Sequence, residues 1–294
     1  MSCSKRRNKR RAIPLAPPPM MRSRKKARVV TTLFHKYTHD LELALRQGDS
    51  VKAKECEEKI AEIGGRQEYQ RASQLSTSYH STSKWVLGVL ANKGWLYGIA
   101  TCPEKDTRRK TRLLEVGAIN TELLNATSDL LYVRAIDLHS MHKGIEEVDF
   151  LTLPPCRKDP SQRYDVVVCS MVINCVPTPE QRGTMLTRLF HQLCPGGRCF
   201  LTLPKLCLTQ SPYMTQERFQ NLLLSGVGFD LEETKESPKV SFFILRRPLK
   251  ASIKESLDSQ WTVLRRINNG KKFRNKFAVV LNQDDVSGQN LFET

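Results

Sequence analysis

The sequence is short of acids: 294 residues carry 30 Asp and Glu against 47 Lys and Arg, a formal net charge of +17. It has no run of about 18 apolar residues, so no membrane span is expected. No apolar leader stands at its N-terminus, so no secretory signal is expected. None of the nine cysteines forms a C-x-x-C pair, and Cys169, Cys175 and Cys199 lie inside apolar runs. An odd set without ligand spacing argues against a disulfide framework and against a zinc site, and predicts reduced thiols packed as small hydrophobes, with no metal. Two phosphate-cradling signatures are also missing, G-x-x-x-x-G-K-[ST] and G-x-G-x-x-G. That excludes a P-loop nucleotidase and weakens a dinucleotide reading.

The basic excess lies at the two ends. Residues 1–28 hold 11 Lys/Arg and no acid, and residues 246–276 hold 10 Lys/Arg against Glu255 and Asp258. The stretch between them is close to neutral. Residues 1–30 are basic, contain proline and have few large apolar residues, a composition that cannot offset the entropy of ordering, so a disordered tail is expected. Its clusters at 5–11 and 22–28 suit a nuclear or nucleolar import signal or an RNA-binding arm, or a generic solvated tail.

The length suits one or two domains. Residues 31–105 read as an α-helical lead-in. Leu33, Tyr37, Leu41 and Leu45 share a face, a second helix runs from about Val51 to Gly64-Gly65, and Ser83 is placed to cap a third. From residue 106 to 248 short apolar runs alternate with a helix. The runs are 112–116, 130–137, 164–173 and 198–203, and the helix runs from Pro179 to Leu193, ahead of Pro195-Gly196-Gly197. This alternation predicts βαβ units and a buried parallel sheet. Residues 229–237 and 239–247 follow as two strands about a Ser237-Pro238 turn, an antiparallel pair. The expected fold class is therefore α/β, a mostly parallel sheet with an antiparallel C-terminal strand, the architecture of class I methyltransferases. Residues 249–294 form a basic C-terminal extension in which 277–281 (FAVVL) reads as an extra edge strand.

In open α/β sheets ligands bind beyond the carboxyl ends of the strands. The first strand ends at Gly117, where a missing Cβ lets backbone approach a ligand. The second ends at Asp137, about 20 residues on, the spacing of a ribose-binding acid. Either residue alone also fits a plain turn or cap; together, in register with later strands, they mark a nucleoside-like cofactor. S-adenosyl-L-methionine has no phosphate and tolerates the missing glycines better than a dinucleotide does. Glu115 is placed to anchor its amino-acid end, directly or through water. Asp149 and Phe150 fit the next strand end, where an acid would bind the adenine amino group and an aromatic would cover the base. The same pair also fits a capped turn before Leu151.

These residues carry a resemblance. Over roughly residues 31–248 the chain resembles the fungal 25S ribosomal RNA adenine-N1 methyltransferases, through 69–73 (YQRAS), 114–117 (LEVG), 135–138 (AIDL), 149–151 (DFL), 170–177 (SMVINCVP) and 194–204 (CPGGRCFLTLP). The resemblance implies a seven-stranded Rossmann-like fold and S-adenosyl-L-methionine as cofactor, with Gly117 and Asp137 holding it. It also implies a large-subunit ribosomal RNA or pre-ribosome as partner and a nuclear, nucleolar location. The short N-terminal arm and the C-terminal segment depart from the family pattern.

Adenine N1 has a free lone pair only when the base is unpaired, so the target must be single-stranded or flipped out. Attack needs no prior deprotonation, and positioning plus a favourable dipole should dominate. The loop after the central strand is where such a base would sit. Asn174 is the expected catalytic residue there, its amide reading the Watson–Crick edge, and a strand-end cap is its alternative role. Ser170 is the second candidate. His139 and His142 fit surface positions better than a base, and Asp165 lies at the wrong end of its strand. A cofactor-binding sensor or scaffold without catalysis, or a methyltransferase for protein or small molecules, would have no use for polybasic ends. A monomer is expected.

Overall fold

The computed structural model describes residues 23–77, 82–97, 110–140, 142–154, 162–250 and 257–287. Its centre is a seven-stranded sheet of β1 (Thr111–Val116), β2 (Leu131–Asp137), β3 (Glu146–Glu147), β4 (Tyr164–Ser170), β5 (Leu193–Pro204), β6 (Asp230–Glu236) and β7 (Val240–Arg246). The order is β3-β2-β1-β4-β5-β7-β6, and β7 alone runs against the others.

Strand alternation sorts the core into two layers. Leu114, Val116, Val167, Cys169, Cys199, Leu201, Phe243 and Leu245 bury on one face. Leu113, Val133, Val166, Val168, Phe200 and Ile244 bury on the other. The first face is covered by α5 (Pro179–Gln192), through Met185, Leu186, Leu189 and Phe190. Thr178 caps that helix by accepting from the Gln181 N–H at 3.2 Å, and Pro179 opens it, where a missing N–H costs nothing. The second face is covered by α4 (Thr82–Asn92), through Val86 and Leu90. The hairpin turns at Ser237, whose hydroxyl accepts from the Val240 N–H at 3.0 Å. Among the described residues Cys56, Cys169, Cys175, Cys194, Cys199 and Cys207 are free thiols. Among the described residues no helix is long and apolar enough to cross a membrane.

The helical lead-in is α1 (Arg24–Arg46), α2 (Ser50–Glu62) and α3 (Gly65–Thr77), followed by α4. This region departs from the sequence expectation at three points. Residues 24–30 are not a disordered tail but the first two turns of α1. Ser23 caps them, accepting from the Lys26 N–H, and Ala27 and Val30 bury against Ala72 of α3. Residues 1–22, with the first basic cluster, lie outside the described residues. The buried stripe of α1 is Ala27, Val30, Phe34 and Ala44, whereas Leu45 of the expected face is 59% exposed. Alanines at two of these four positions let α2 and α3 pack closely on the stripe, and Phe34 stacks on Tyr69 of α3. Ser83 does not cap α4; it is buried inside its first turn.

Two strands also differ from expectation. The central strand ends at Ser170, three residues early, because Met171 turns into the left-handed region (φ +59°). Residues 277–281 are no edge strand. They form an extended strap across α5, with the Val280 N–H donating to Pro179 O (2.9 Å) and the Leu281 N–H to Trp261 O (2.8 Å). Phe277, Val279 and Leu281 join the main core from there, and the segment is not one of the seven paired strands.

Candidate active site

The carboxyl ends of β1, β2 and β4 open into a cavity of about 1090 Å³ whose opposite wall is built by α1 and α3. Gly117 follows β1 at φ +76°, and a Cβ there would lie 2.3 Å from Val172 Cγ2. Only glycine fits, for both reasons. Its N–H donates to Ile136 O at 2.9 Å, locking the β1 exit to the end of β2.

Asp137 ends β2 on the same wall. Its Oδ1 accepts from the His139 N–H at 2.9 Å. Burial raises its carboxyl above the usual range, opposed by that N–H and by the Arg66 charge. Glu115, two residues before Gly117, leaves Oε2 buried with no partner among the described residues. Burial, with help from Glu122, pushes its carboxyl up to about 8.

Asp149 and Phe150 line the cavity just past β3. The capped turn is realised at Asp149, whose Oδ1 accepts from the Leu151 N–H at 2.8 Å. Phe150 is buried, packed with the core under the cavity floor.

Beyond β4 the chain makes one tight turn, Ile173–Cys175. Met171 is held in its left-handed conformation from both sides. Its N–H donates to Thr202 O (3.1 Å) and its carbonyl accepts from Cys175 Sγ (3.2 Å). Such a conformation costs about 1–3 kcal/mol for a residue with a side chain and tends to be kept at functional sites. Ser170 is engaged on both sides, its hydroxyl 2.9 Å from those of Thr82 and Thr202. Asn174 donates from Nδ2 to Cys175 Sγ at 3.3 Å, while its Oδ1 is buried with no partner among the described residues.

The helical lead-in grips this turn. His35 Nε2 lies 3.1 Å from the Tyr69 hydroxyl, which lies 3.3 Å from Cys175 Sγ. Phe34 stacks on the Tyr69 ring at 4.4 Å. Burial would raise the Cys175 thiol, but His35 and Tyr69 outweigh it and bring it below its ordinary value. His39 Nδ1 contacts Pro177 O at 3.0 Å. From behind, buried Arg182 donates to Val176 O (2.9 Å) and to Ala278 O (3.0 Å), tying the turn to the strap. Burial lowers its guanidinium to about 10.

Gly117, Asp137, Asp149, Phe150 and Asn174 thus all face one cavity, and Ser170 with them. His139 stands on the exposed rim beside Glu147. His142 does not line the cavity, and Asp165 sits at the far end of β4, accepting from the Arg112 N–H at 2.9 Å. The sequence reading missed His35, Tyr69 and Arg182. Only Tyr69 carried a signal, as the first residue of the YQRAS segment.

Seven strands in this order with β7 reversed, over a glycine and an acid at the first two strand ends, define the class I methyltransferase fold. Residues 54–279 match the family described as 25S rRNA (adenine(2142)-N(1))-methyltransferase, Bmt2, and the chain belongs to that family. The Saccharomyces cerevisiae protein named 25S rRNA (adenine(2142)-N(1))-methyltransferase is 30% identical over 187 residues, 62% of this chain and 51% of that one. The Schizosaccharomyces pombe 25S rRNA adenine-N(1) methyltransferase is 31% identical over 137 residues, 45% of this chain and 48% of that one. The chain therefore spans about half the length of the curated relatives it matches. Among solved structures it is similar to the CurJ carbon methyltransferase, with a TM-score of 0.43 and 16% identity over 76% of this chain and 70% of that one.

Proposed function

We propose that this protein transfers a methyl group from S-adenosyl-L-methionine to N1 of an adenine in large-subunit ribosomal RNA, in the nucleus and nucleolus. The observation that carries the reading is the buried carboxyl and amide oxygens Glu115 Oε2 and Asn174 Oδ1, which, with the Thr38 hydroxyl, line one cavity at the strand ends and have no partner among the described residues. A buried acceptor without a donor costs about 1–3 kcal/mol, so the carboxyl and amide oxygens both call for ligands with N–H groups.

The donor set fits the cofactor. Asp137 offers a carboxylate to two ribose hydroxyls, and Glu115 faces the amino group. Asp149 meets the adenine amino group, and Gly117 leaves room for the chain between. When bound, S-adenosylmethionine supplies an electrophilic methyl group on a sulfonium sulfur. Asn174 Oδ1 accepts from the exocyclic amino group of the target adenine and so aims N1. The same carbonyl dipole favours the positive charge that develops on the ring. No side chain has to remove a proton. Phe34 and Tyr69 keep water from that side, and Tyr69 holds the turn in place through Cys175.

The test is mass spectrometry of nucleosides from a ribosomal RNA fragment incubated with the protein and cofactor. N1-methyladenosine is expected, and Asn174→Ala should lower kcat/KM on the order of 100-fold with unchanged affinity for S-adenosylhomocysteine. No N1-methyladenosine with the wild type would end the proposal; a wild-type kcat/KM in the variant would end the role of Asn174.

Glu115 gives a second test. Its carboxyl, at about 8, holds its proton at neutral pH. An ammonium group alongside favours the carboxylate, so Glu115 releases the proton on binding. Affinity for S-adenosylhomocysteine should then rise with pH up to about 8 and level off above. Calorimetry at pH 7 in buffers of different ionisation heat should read release of about one proton by the wild type and almost none by Glu115→Gln. Equal release by both would remove Glu115 from the cofactor's amino end.

A further inference from the structure

The strap that crosses α5 is preceded by a loop with an unusual charge. Residues 264–276 contain Arg265, Arg266, Lys271, Lys272, Arg274 and Lys276 and no acid. All six cations are exposed, and among the described residues none forms an ion pair. Elsewhere on the surface cations are commonly matched, as Arg134 is with Glu146, Arg198 with Glu232 and Arg246 with Asp230. Six like charges on one short loop repel one another, so something must hold them together.

Backbone anchors do so. The N–H groups of Ile267 and Asn268 both donate to Pro212 O, at 2.8 and 3.0 Å, and that of Asn275 to Gln210 O at 3.0 Å. The Asn268 side chain adds a bond to Ser211 O at 3.3 Å. The loop is thereby pinned at both ends to the segment 210–212, directly after the short helix α6 (Leu206–Thr209). At the other end of that one-turn helix, the Lys205 N–H donates to Lys239 O at 2.8 Å. Lys239 and Lys235 belong to the β6–β7 hairpin, line the candidate active-site cavity, and also lack an acidic partner among the described residues. Two groups of free cations therefore flank α6 at the end of the sheet where the cavity opens.

A fixed row of unmatched, exposed cations suits a ligand with regularly spaced negative charge. We propose that the 264–276 loop, with Lys235 and Lys239 at the cavity mouth, holds the phosphate backbone of the RNA strand whose target base enters the cavity. The inference rests on the RNA reading above and adds the surface that carries the strand. Contacts of this kind carry affinity and register, and leave base choice to the pocket.

The experiment is a salt series. A fluorescein-labelled single-stranded oligoribonucleotide is titrated with the full-length protein between about 50 and 200 mM KCl, and log affinity is plotted against log salt. Each phosphate contact on a single strand contributes about −0.7 to that slope. The variant Lys271→Ala/Lys272→Ala/Arg274→Ala/Lys276→Ala should therefore lose about 2 to 3 from the slope and bind on the order of 10- to 100-fold more weakly. Lys235→Ala/Lys239→Ala should lose about 1 to 1.5. The charge-keeping variant Lys271→Arg/Lys272→Arg/Lys276→Arg should keep the wild-type slope. The two loop variants should bind S-adenosylhomocysteine as the wild type does, and the hairpin variant should keep the wild-type melting temperature, which shows that all three fold. A wild-type slope in the alanine loop variant would overturn the proposal, as would an equal loss in the arginine variant. If the wild type binds S-adenosylhomocysteine but no RNA, the RNA reading itself falls, and this surface with it.

Discussion

Asp137→Ala is expected to weaken binding of S-adenosylhomocysteine on the order of 100-fold or more while leaving the fold in place. A carboxylate that accepts from two hydroxyls makes two charge-assisted bonds, each about 1.5–3 kcal/mol. Their loss together exceeds the roughly 1.4 kcal/mol that sets a tenfold change. Against this stands the structural work of the side chain, a bond from the His139 N–H at 2.9 Å and a side-chain hydrogen bond from Gln70. His139 is on the solvent-exposed rim, so water replaces the lost partner there and the stability cost of that bond should stay near 1 kcal/mol. Asp137→Asn keeps one oxygen, which can still accept from the His139 N–H, but loses the charge and the second acceptor oxygen, and should fall between the two. Titration calorimetry of the three proteins at one pH, with melting temperatures alongside, checks the order. Undiminished affinity in Asp137→Ala would mean that the ribose lies elsewhere in the cavity.

The strand ends were legible because buried parallel strands read as short apolar runs. β1, β2, β4 and β5 are nearly all inside, and the glycine and acids that close them stand out against that background. The hairpin was legible from Ser237-Pro238. α3 was not, since its sequence GRQEYQRASQLST buries little beyond Tyr69, Gln70 and Ala72 and has almost no apolar period. The strap misled for the opposite reason. FAVVL has the composition of a strand, and composition does not say whether its amides meet a sheet edge or a helix start. Least legible was the grip on the Asn174 turn. His35, Tyr69 and Cys175 are separated by 34 and 106 residues, so only the docking of two helices on a strand end makes them neighbours. The sequence likewise displayed the charge of residues 264–276 but not the anchors that fix their shape.

Among the described glycines, Gly183→Ala should be the most destabilising change, although it replaces a helix-breaking residue by the best helix former. Propensity alone predicts a gain of about 0.8–1 kcal/mol. The added Cβ, however, would lie 1.8 Å from Val280 O and 2.8 Å from its carbonyl carbon. Those are backbone atoms of the strap, which cannot rotate away as a side chain does, so the strap must lift. Lifting it exposes Phe277, Val279 and Leu281, each worth about 1.5–3 kcal/mol when buried, and strips Arg182 of its bond to Ala278 O. A net loss of about 3–5 kcal/mol is expected, or on the order of 10 °C in melting temperature for a domain of this size. Gly88→Ala in α4 is the control. Nothing lies within 4 Å of its Cβ position, so propensity should act unopposed and the melting temperature should hold or rise. Hydrogen exchange should show the Val280 and Leu281 amides losing protection in Gly183→Ala only. Because Arg182 also carries Val176 O (2.9 Å), just past the Asn174 turn, methyl transfer should fall further than S-adenosylhomocysteine affinity. A melting temperature equal to or above wild type would mean that the strap does not cross α5 at Gly183.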